Sequence, residues 1–240
     1  MKSISRLCLS VCLSIFLASC GGGGGGSTPS QPAVTTYPVQ QAIAYAYTHG
    51  LQQTLNITGT ATNGTTPMPI TGSLTLTVSA VSNTTFNNAP AYYSVSTISG
   101  SLYLNNQSLP LNITSAEILN TAYVPIGSNS TDSYCIANST DSFPVAASAG
   151  QTGTLTSVSC YSDSSKLMHV GNKFLSYVTM PGSNGNLNIQ LISNSKDASG
   201  KLISSESDTY SITPNGILTL IQISVMASVS GITMTLNGSI

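Results

Sequence analysis

The stretch Ser73-Leu74-Thr75-Leu76-Thr77-Val78 decides the fold class of this chain. Three aliphatic side chains alternate in it with three hydroxyl side chains, so an extended backbone would place the two sets on opposite faces. Threonine and valine are also among the residues most enriched in strands. The stretch therefore predicts a half-buried β-strand.

Similar alternation recurs toward both ends of the sequence, separated by segments typical of turns. The turn segments are Asn63-Gly64, Asn105 to Ser108, Asn184-Gly185, Asp197 to Gly200 and Pro214-Asn215-Gly216. The strand segments are Leu55–Ile57, Tyr92–Ile98, Leu102–Leu104, Leu109–Ile113, Tyr177–Met180, Leu187–Leu191, Ile217–Val225 and Ile232–Leu236. Turn signals spaced about 8–15 residues apart favour an antiparallel sheet. We expect a mainly β fold with a closed or half-closed antiparallel sheet, for which a barrel, a half-barrel and a sandwich all fit.

One short helix is expected before the first strand. The segment from Val39 to Tyr47 follows a proline and is closed by His49-Gly50, which suits a helix start and a helix end. Val39, Ile43 and Tyr47 also recur every four residues. The same segment alternates alanines with larger side chains, so a strand remains an alternative.

The charge content excludes one class of partner. Charged side chains make up only 5% of the chain, against about 25% in ordinary domains. After Arg6 the sequence contains four lysines, seven acids and no further arginine. Nucleic-acid binding needs a basic stripe, and a bidentate clamp on phosphate or carboxylate needs a guanidinium group. We therefore expect no nucleic-acid partner.

The first residues have the anatomy of a secretory leader. Lys2 and Arg6 form a positive start, and the apolar run from Leu7 to Leu17 is followed by two small residues. Eleven residues are too few to cross a hydrocarbon core of about 30 Å as a helix. A signal peptide over residues 1–19 is the better interpretation.

The end of this leader, Leu17-Ala18-Ser19-Cys20, resembles the lipobox of bacterial lipoproteins. The resemblance implies that Cys20 receives a diacylglyceryl group, that the leader is cut before it and that its new amine is acylated. Several acyl chains make membrane attachment stable, whereas one chain binds reversibly. In that family an aspartate after the cysteine often marks retention at the inner membrane. Gly21 stands there, so the resemblance implies a Gram-negative outer-membrane lipoprotein that faces the periplasm or the cell surface.

A glycine-rich tether is expected between the anchor and the folded part. Gly21 to Gly26 and the Ser/Thr/Pro residues after them cannot bury apolar surface, so residues 20–36 should remain a flexible coil. About a dozen such residues hold a domain roughly 20 Å from its anchor. Residues 37–240 are then one β-rich domain, for which the sequence does not specify an oligomeric state.

Two cysteines remain after processing. Cys8 and Cys12 leave with the leader and Cys20 is the expected lipidation site, so Cys135 and Cys160 are left in an oxidising compartment. This favours a Cys135–Cys160 disulfide. A metal pair or a catalytic thiol would need histidine or acidic neighbours that the sequence does not place beside them.

A second resemblance extends loosely over most of the chain. The segment Phe143-Pro144-Val145 through Gly150-Gln151-Thr152-Gly153-Thr154-Leu155, ending at Cys160-Tyr161-Ser162-Asp163-Ser164-Ser165-Lys166, is similar to uncharacterised glycine-tethered lipoproteins of Gram-negative bacteria. That group carries no known activity, so the resemblance implies no functional residue.

Catalytic and metal motifs are absent from the sequence. The two histidines, His49 and His169, both precede turn-like glycines, and neither Gly-X-Ser-X-Gly nor His-Glu-X-X-His occurs. Asn194, Asp197 and Gly200 depart from the spacing of a calcium loop and suit a hairpin turn better. We therefore predict no catalytic residue, no metal and no cofactor.

Two acids are the best material for a hydrolase. Glu206 and Asp208 would lie about 7 Å apart on one face of a strand, which is within the range of glycosidase carboxylate pairs. Two acids on one strand are more often exposed and solvated, and we expect that here. The hydrolase alternative would need these acids and His169 to converge in a cleft.

Tyrosines are the remaining feature. The chain has 11 tyrosines and no tryptophan, and tyrosine commonly fills the core and rim of β folds. Alternatively they could line a sugar or lipid cleft, and those considered are Tyr45, Tyr47, Tyr92, Tyr93, Tyr103, Tyr161 and Tyr177. The sequence thus favours a non-enzymatic envelope lipoprotein that binds an apolar ligand or an envelope protein, with a periplasmic or surface hydrolase as the alternative.

Overall fold

The computed structural model describes residues 35–64, 66–105, 107–130, 133–229 and 231–240 of the chain. The predicted leader, the predicted lipidation site Cys20 and almost all of the predicted tether lie outside these residues.

The described residues form one α-helix, one short 3₁₀ turn and thirteen strands. The helix α1 is Val39–His49, and the 3₁₀ turn is Ser183–Gly185. The strands are β1 Leu51–Asn63, β2 Thr66–Val78, β3 Ser82–Phe86, β4 Ala89–Leu104, β5 Gln107–Leu119, β6 Pro125–Ser130, β7 Ser133–Thr140, β8 Thr152–Tyr161, β9 His169–Pro181, β10 Leu187–Asp197, β11 Leu202–Ile212, β12 Leu218–Val229 and β13 Ile232–Ser239. The predicted helix is confirmed and ends two residues later than the apolar pattern.

The strands close into an antiparallel barrel. Nearly every strand pairs with the strands before and after it in sequence, and β13 pairs with β1. The circle closes where β2 pairs with β4, from Ile70 opposite Leu104 to Val78 opposite Ser96. The short β3 continues β2 along the same edge of β4, so twelve strands of the described chain form the barrel. The predicted mainly β fold is confirmed. Of the barrel, half-barrel and sandwich that fitted the sequence, the chain forms the barrel.

One strand boundary was wrong. The sequence pattern separates Tyr92–Ile98 from Leu102–Leu104, but β4 is continuous over both. Gly100 lies between them with φ +145°, in a conformation that side chains other than glycine rarely adopt. The strand therefore continues through the glycine with its register unbroken on both sides.

The outer face of the barrel carries many hydroxyl and amide side chains, together with aromatic ones such as Tyr93, Tyr103 and Phe174, which are 39–47% exposed. Cross-strand partners on this face pair with each other, as in Thr54 Oγ1 with Thr75 Oγ1 at 2.9 Å and Gln190 Nε2 donating to Ser207 Oγ at 2.7 Å. These hydroxyl and amide groups take much of the place that charged side chains fill on ordinary domains.

Helix α1 packs inside one end of the barrel. Val39, Ala42 and Ile43 are at most 3% exposed. They form a core with inward side chains of the wall and of the loops at this end, namely Tyr37, Val124, Phe143, Ala147, Leu155, Tyr177, Leu187, Ile189 and Ile212. In the described part of the chain, no helix is long and apolar enough to cross a membrane.

The two ends of the barrel differ. We call the end that contains α1 the helix end. Tyr37 joins this end through a two-way backbone bridge to Ala147 and an OH that donates to the Gly185 carbonyl at 2.5 Å. The opposite end, formed by the connections after β1, β4, β6, β8, β10 and β12, is the hairpin end. The chain that precedes the domain therefore leaves from the helix end.

A second apolar core lies on the inner faces of β1, β2, β4, β12 and β13. Its buried members are Leu55, Ile57, Ala61, Ile70, Leu102, Leu220, Val225 and Leu236. Leucines on neighbouring strands cover inward glycines: a Cβ at Gly59 would lie 2.8 Å from Leu236 Cδ2, and one at Gly72 would lie 3.0 Å from Leu102 Cδ2. The backbone carbonyls of Thr235 and Ser101 would lie closer still, so a larger residue at either glycine would displace the neighbouring strand as well as a core leucine.

The predicted disulfide is confirmed. Cys135 on β7 and Cys160 on β8 are directly opposite each other, with an S–S distance of 2.08 Å. Both side chains face inward, near the hairpin end, with Val158 as a buried neighbour. The disulfide links β7 to β8 and so closes the segment of chain that connects these two adjacent strands.

Candidate functional site

Ionisable side chains gather on one side of the barrel interior. The register places Glu206 of β11 opposite Ser193 of β10, and Asp208 opposite Leu191. Lys173 of β9 lies on the same inner face, two pairs nearer the hairpin end. We define the polar wall as the inward side chains Lys173, Ser193, Ser195, Ser204, Glu206 and Asp208. The expectation that Glu206 and Asp208 would be solvated on an exposed face was wrong: they point into the barrel and are partly buried.

A third carboxyl group faces the polar wall from β5. Glu117 lies opposite Ser94, a fully buried inward residue of β4. Its Oε2 accepts a hydrogen bond from the Tyr47 hydroxyl at 3.1 Å. Tyr47 belongs to α1, so this bond joins the helix to the wall of the barrel. Three of the six acids in the described part of the chain therefore lie inside the barrel.

The barrel interior raises the pKa of all three carboxyl groups. Burial raises the pKa of Glu206 to about 7, with Lys173 opposing the shift and Glu117 adding to it. Burial, and then the charge of Glu206, raise the pKa of Asp208 well above its usual range. Burial also raises the pKa of Glu117, although the Tyr47 hydrogen bond and Lys173 oppose it. The interior therefore favours neutral carboxyl groups unless a cation compensates them.

Asp208 has an unused acceptor. Its Oδ1 is shielded from solvent and accepts no hydrogen bond from the described residues. A buried polar atom without a partner costs about 1–3 kcal/mol, more if it is charged. Among the described residues, no three histidine, cysteine, aspartate or glutamate side chains are grouped so that they could hold a metal ion.

Tyrosines stand beside the acids toward the helix end. The ring of Tyr123 is stacked against Tyr92 at 5.1 Å and against Tyr47 at 6.0 Å between ring centroids. Tyr210, two residues after Asp208 on the same inner face, packs against both cores. The acids raise the pKa of Tyr210 further after burial has raised it. We call Tyr47, Tyr92, Tyr123 and Tyr210 the tyrosine group.

The inner face becomes apolar from the strand next to the acids, β12, onward. We define the apolar wall as the inward aliphatic side chains of β1, β2, β4, β5, β12 and β13. Its members next to the buried core remain partly exposed, and they are Leu51, Met68, Leu74, Leu76, Leu104, Leu111, Ile223 and Met234. About eight strands already make a barrel just wide enough for its own side chains to fill. In this barrel α1 packs into the helix end, and the apolar wall beyond it keeps its partly exposed side chains.

An open groove reaches the tyrosine group from outside. It has a volume of about 440 Å³ and is lined by Pro38, Gln40, Gln41, Ala44, Thr121, Ala122, Tyr123 and Val145. Tyr123 belongs both to this groove and to the stack with Tyr47. The groove therefore lies directly outside the point where α1 meets the interior.

The histidines lie apart from the acids. His169 begins β9 at the hairpin end, where it is exposed and its ring meets Tyr161 edge-on at 5.7 Å. His49 ends α1, is exposed and stacks on Tyr45 at 4.0 Å. The convergence of His169 with Glu206 and Asp208 that the hydrolase alternative needs is not formed.

The weak calcium-loop pattern is a hairpin turn, as the sequence favoured. Asp197 Oδ1 accepts hydrogen bonds from the backbone N–H groups of Ser199 and Lys201, at 2.9 and 3.0 Å, and from the Ser199 hydroxyl. These bonds lower the pKa of Asp197. The carboxylate therefore serves the turn between β10 and β11.

The tyrosines considered from the sequence divide between the two faces. Tyr47, Tyr92 and Tyr177 face inward, Tyr161 is partly buried at the hairpin end, and Tyr45, Tyr93 and Tyr103 are exposed. Sequence reasoning missed Glu117, Lys173, Tyr123 and Tyr210 as members of the interior. For Tyr210 the sequence did contain a signal. It lies two residues before Ile212, so an extended strand places both side chains on one face, and Ile212 is fully buried.

No family model, no curated protein and no solved structure matches this chain.

Proposed function

We propose that this chain is a lipid-anchored protein of the Gram-negative outer membrane that holds an apolar or amphiphilic ligand inside its barrel, without catalytic turnover. The observation that carries the proposal is the partly exposed apolar wall inside a barrel of twelve strands. Concave sites that bind small apolar molecules combine such walls with a few placed polar groups. The polar wall supplies those groups.

The outer face of the barrel supports attachment through the lipid. Strands that face lipid carry an apolar outer band, whereas the outer face of this barrel mixes hydroxyl and amide side chains such as Thr54 and Gln190 with apolar ones such as Phe174. A lipid on Cys20 would hold the helix end toward the membrane, since the chain leaves the domain there.

The anchor is tested on the protein isolated from bacterial membranes. We expect mass spectrometry of its N-terminal peptide to show an acylated Cys20, and a Cys20→Ser variant to lose the acyl mass and the detergent-phase partitioning. An unmodified Cys20, or retention of residues 1–19, would contradict the anchor.

The ligand site is tested on residues 33–240, which contain the closed ladder and both cores. The sequence lacks tryptophan, so Leu111→Trp on the apolar wall supplies a single reporter inside the barrel. Asn112→Trp, one residue away on the outer face, is the matched control. We expect dodecanol to shift the emission of the Leu111→Trp variant to shorter wavelength and to leave the Asn112→Trp variant unchanged. Equal responses, or no response from either variant, would overturn the ligand site.

One observation favours the hydrolase as a second candidate. Glu206 and Asp208 are neighbouring carboxyl groups with raised pKa values, which is common at active sites. A panel of esterase, glycosidase and peptidase substrates tests it. Turnover that disappears in the Glu206→Gln variant would establish the hydrolase and contradict the binding role.

A further inference from the structure

We infer that the polar wall and the tyrosine group form the head-group site for an amphiphile with a cationic amine, whose alkyl chain lies along the apolar wall. This inference rests on the proposed function and specifies its ligand class.

The charges inside the barrel are unequal in number. Glu117, Glu206 and Asp208 face inward, whereas Lys173 is the one inward lysine in the described part of the chain. The others lie outside the barrel: Lys196 is above the outward Phe174 ring, and Lys166 and Lys201 are exposed in turns. An amine that entered this space would meet more carboxyl groups than cations.

The second observation is the unpartnered oxygen of Asp208. Its Oδ1 is closed off from solvent and accepts no hydrogen bond within the described residues. The other acids are engaged by neighbouring groups, Glu117 by the Tyr47 hydroxyl and Glu206 by the charge of Lys173. An ammonium group has three N–H donors, so it would satisfy this acceptor and balance the second carboxyl group on the same strand.

The tyrosine group points to the same charge. Aromatic faces attract ammonium groups, and sites for organic cations combine several aromatic rings with carboxylates. Tyr47 joins both parts of the site, because its ring stacks on Tyr123 and its hydroxyl donates to Glu117. A carboxylate head group would instead meet these acids and ring faces with the wrong sign.

The two walls fix the orientation of the ligand. Val225 and Ile223 of β12 lie directly opposite Glu206 and Asp208 in the ladder, and Leu236 of β13 lies opposite Val225. The change from acid to aliphatic side chains therefore takes place between adjacent strands. A molecule with a charged end and an alkyl chain matches this change, whereas a wholly polar or wholly apolar molecule matches only one wall.

The test compares three probes with the same chain length on delipidated residues 33–240: dodecylamine, dodecanol and laurate, each below the concentration at which it aggregates. We expect calorimetry to show dodecylamine binding at least tenfold more tightly than the other two. The double variant Glu206→Gln/Asp208→Asn should lose at least tenfold in affinity for dodecylamine and less than threefold for dodecanol. The control Asp141→Asn, which removes an exposed acid, should change neither.

A second variant has the opposite sign and keeps the test decisive if the double variant does not fold. Removing the inward cation with Lys173→Met should tighten dodecylamine binding severalfold and weaken that of laurate. Equal binding of the three probes, or an unchanged amine affinity in Lys173→Met, would overturn the head-group site and leave the apolar ligand site intact. Failure of all three probes to bind would overturn the proposed function as well.

Discussion

The apolar wall and the polar wall share one barrel but are stabilised differently. On the apolar wall, leucines of one strand cover glycines of the next, as Leu102 covers Gly72, and the core is continuous. On the polar wall, three of the inward positions are serines, and the buried cluster nearest the hairpin end contains little besides the Cys135–Cys160 disulfide. Because the sheet is closed, the backbone N–H and C=O groups of both walls are hydrogen-bonded to neighbouring strands. The apolar wall can therefore provide most of the stability while the polar wall holds side chains whose burial is unfavourable.

The largest effect is expected on the apolar wall. Leu55 is 1% exposed, and a Leu55→Ala substitution leaves a cavity that should cost about 3–4 kcal/mol of unfolding free energy. Denaturant unfolding followed by circular dichroism measures it. Leu202→Ala, at a residue that is 37% exposed, is the control and should cost less than about 1 kcal/mol. Similar losses in the two variants would mean that the apolar wall is not the main core.

The disulfide should matter nearly as much to the other side of the barrel. Replacing both Cys135 and Cys160 by serine removes a cross-link over a sequence separation of 25 residues, which should cost about 3 kcal/mol. The same unfolding experiment on the unaltered protein with and without reductant is the control. A reduced protein as stable as the oxidised one would show that the β7–β8 region is held by its other contacts.

Glu206 should make stability depend on pH. Its pKa is raised in the fold to about 7, so the stabilisation of the protonated form is complete below the unfolded pKa of about 4.3 and is lost as pH rises through 7. Because the side chain is partly exposed, we expect a loss of roughly 2 kcal/mol between pH 4.5 and pH 8. The Glu206→Gln variant should lack this part of the loss, and Asp141→Asn should retain it. A parallel profile for Glu206→Gln would contradict the buried position of this carboxyl group.

A smaller effect is expected where the helix meets the interior. Tyr47→Phe removes the hydrogen bond to Glu117 and should cost about 1 kcal/mol. Tyr45→Phe is the matched control, since Tyr45 lies on the same helix and is 53% exposed. Hydrogen exchange of the α1 amides should be faster in the Tyr47→Phe variant alone. Equal exchange in both variants would show that this bond does not hold the helix.

The smallest effect is expected on the outer face. Thr54 and Thr75 share a hydroxyl contact of 2.9 Å that is open to water, so Thr54→Ala should change stability by no more than about 0.5 kcal/mol. Thermal unfolding would detect a larger effect. A loss comparable to that of Leu55→Ala would mean that the hydroxyl pairs outside stabilise the barrel as much as the leucines inside.

Strand periodicity predicted the apolar wall better than the polar wall. Leu74 and Leu76 alternate with threonine, so the leucines identify the inward face of β2 from the residue pattern alone. On β11, Ser204, Glu206 and Asp208 alternate with Ser205, Ser207 and Thr209. Both faces of this part of β11 are polar, so the alternation of residues does not indicate which face points into the barrel. Only their even spacing from Ile212, the apolar residue at the end of the strand, would have indicated that the acids face inward.

Closure of the sheet could not be predicted for a different reason. Turn signals predict that consecutive strands pair with each other. The pairings of β13 with β1 and of β2 with β4 join strands that are not consecutive, and no local sequence pattern indicates them. The register of β9, β10 and β11 brings Lys173 near Glu206, whereas Glu117 on β5 faces them because the sheet closes into a barrel. The disulfide was predictable because counting cysteines does not require the topology.

The pairing of β13 with β1 has a consequence for how the protein reaches its folded state. It places Asn56 opposite Ser239, so the circle cannot close until β13 has been synthesised. Contacts so distant in sequence form slowly, because a long loop must first lose its entropy. Until then β1 and β12 each present an unpaired edge, on a chain with few charges to repel its neighbours. Until β13 joins β1, the folding chain is therefore exposed to edge-to-edge pairing with other copies.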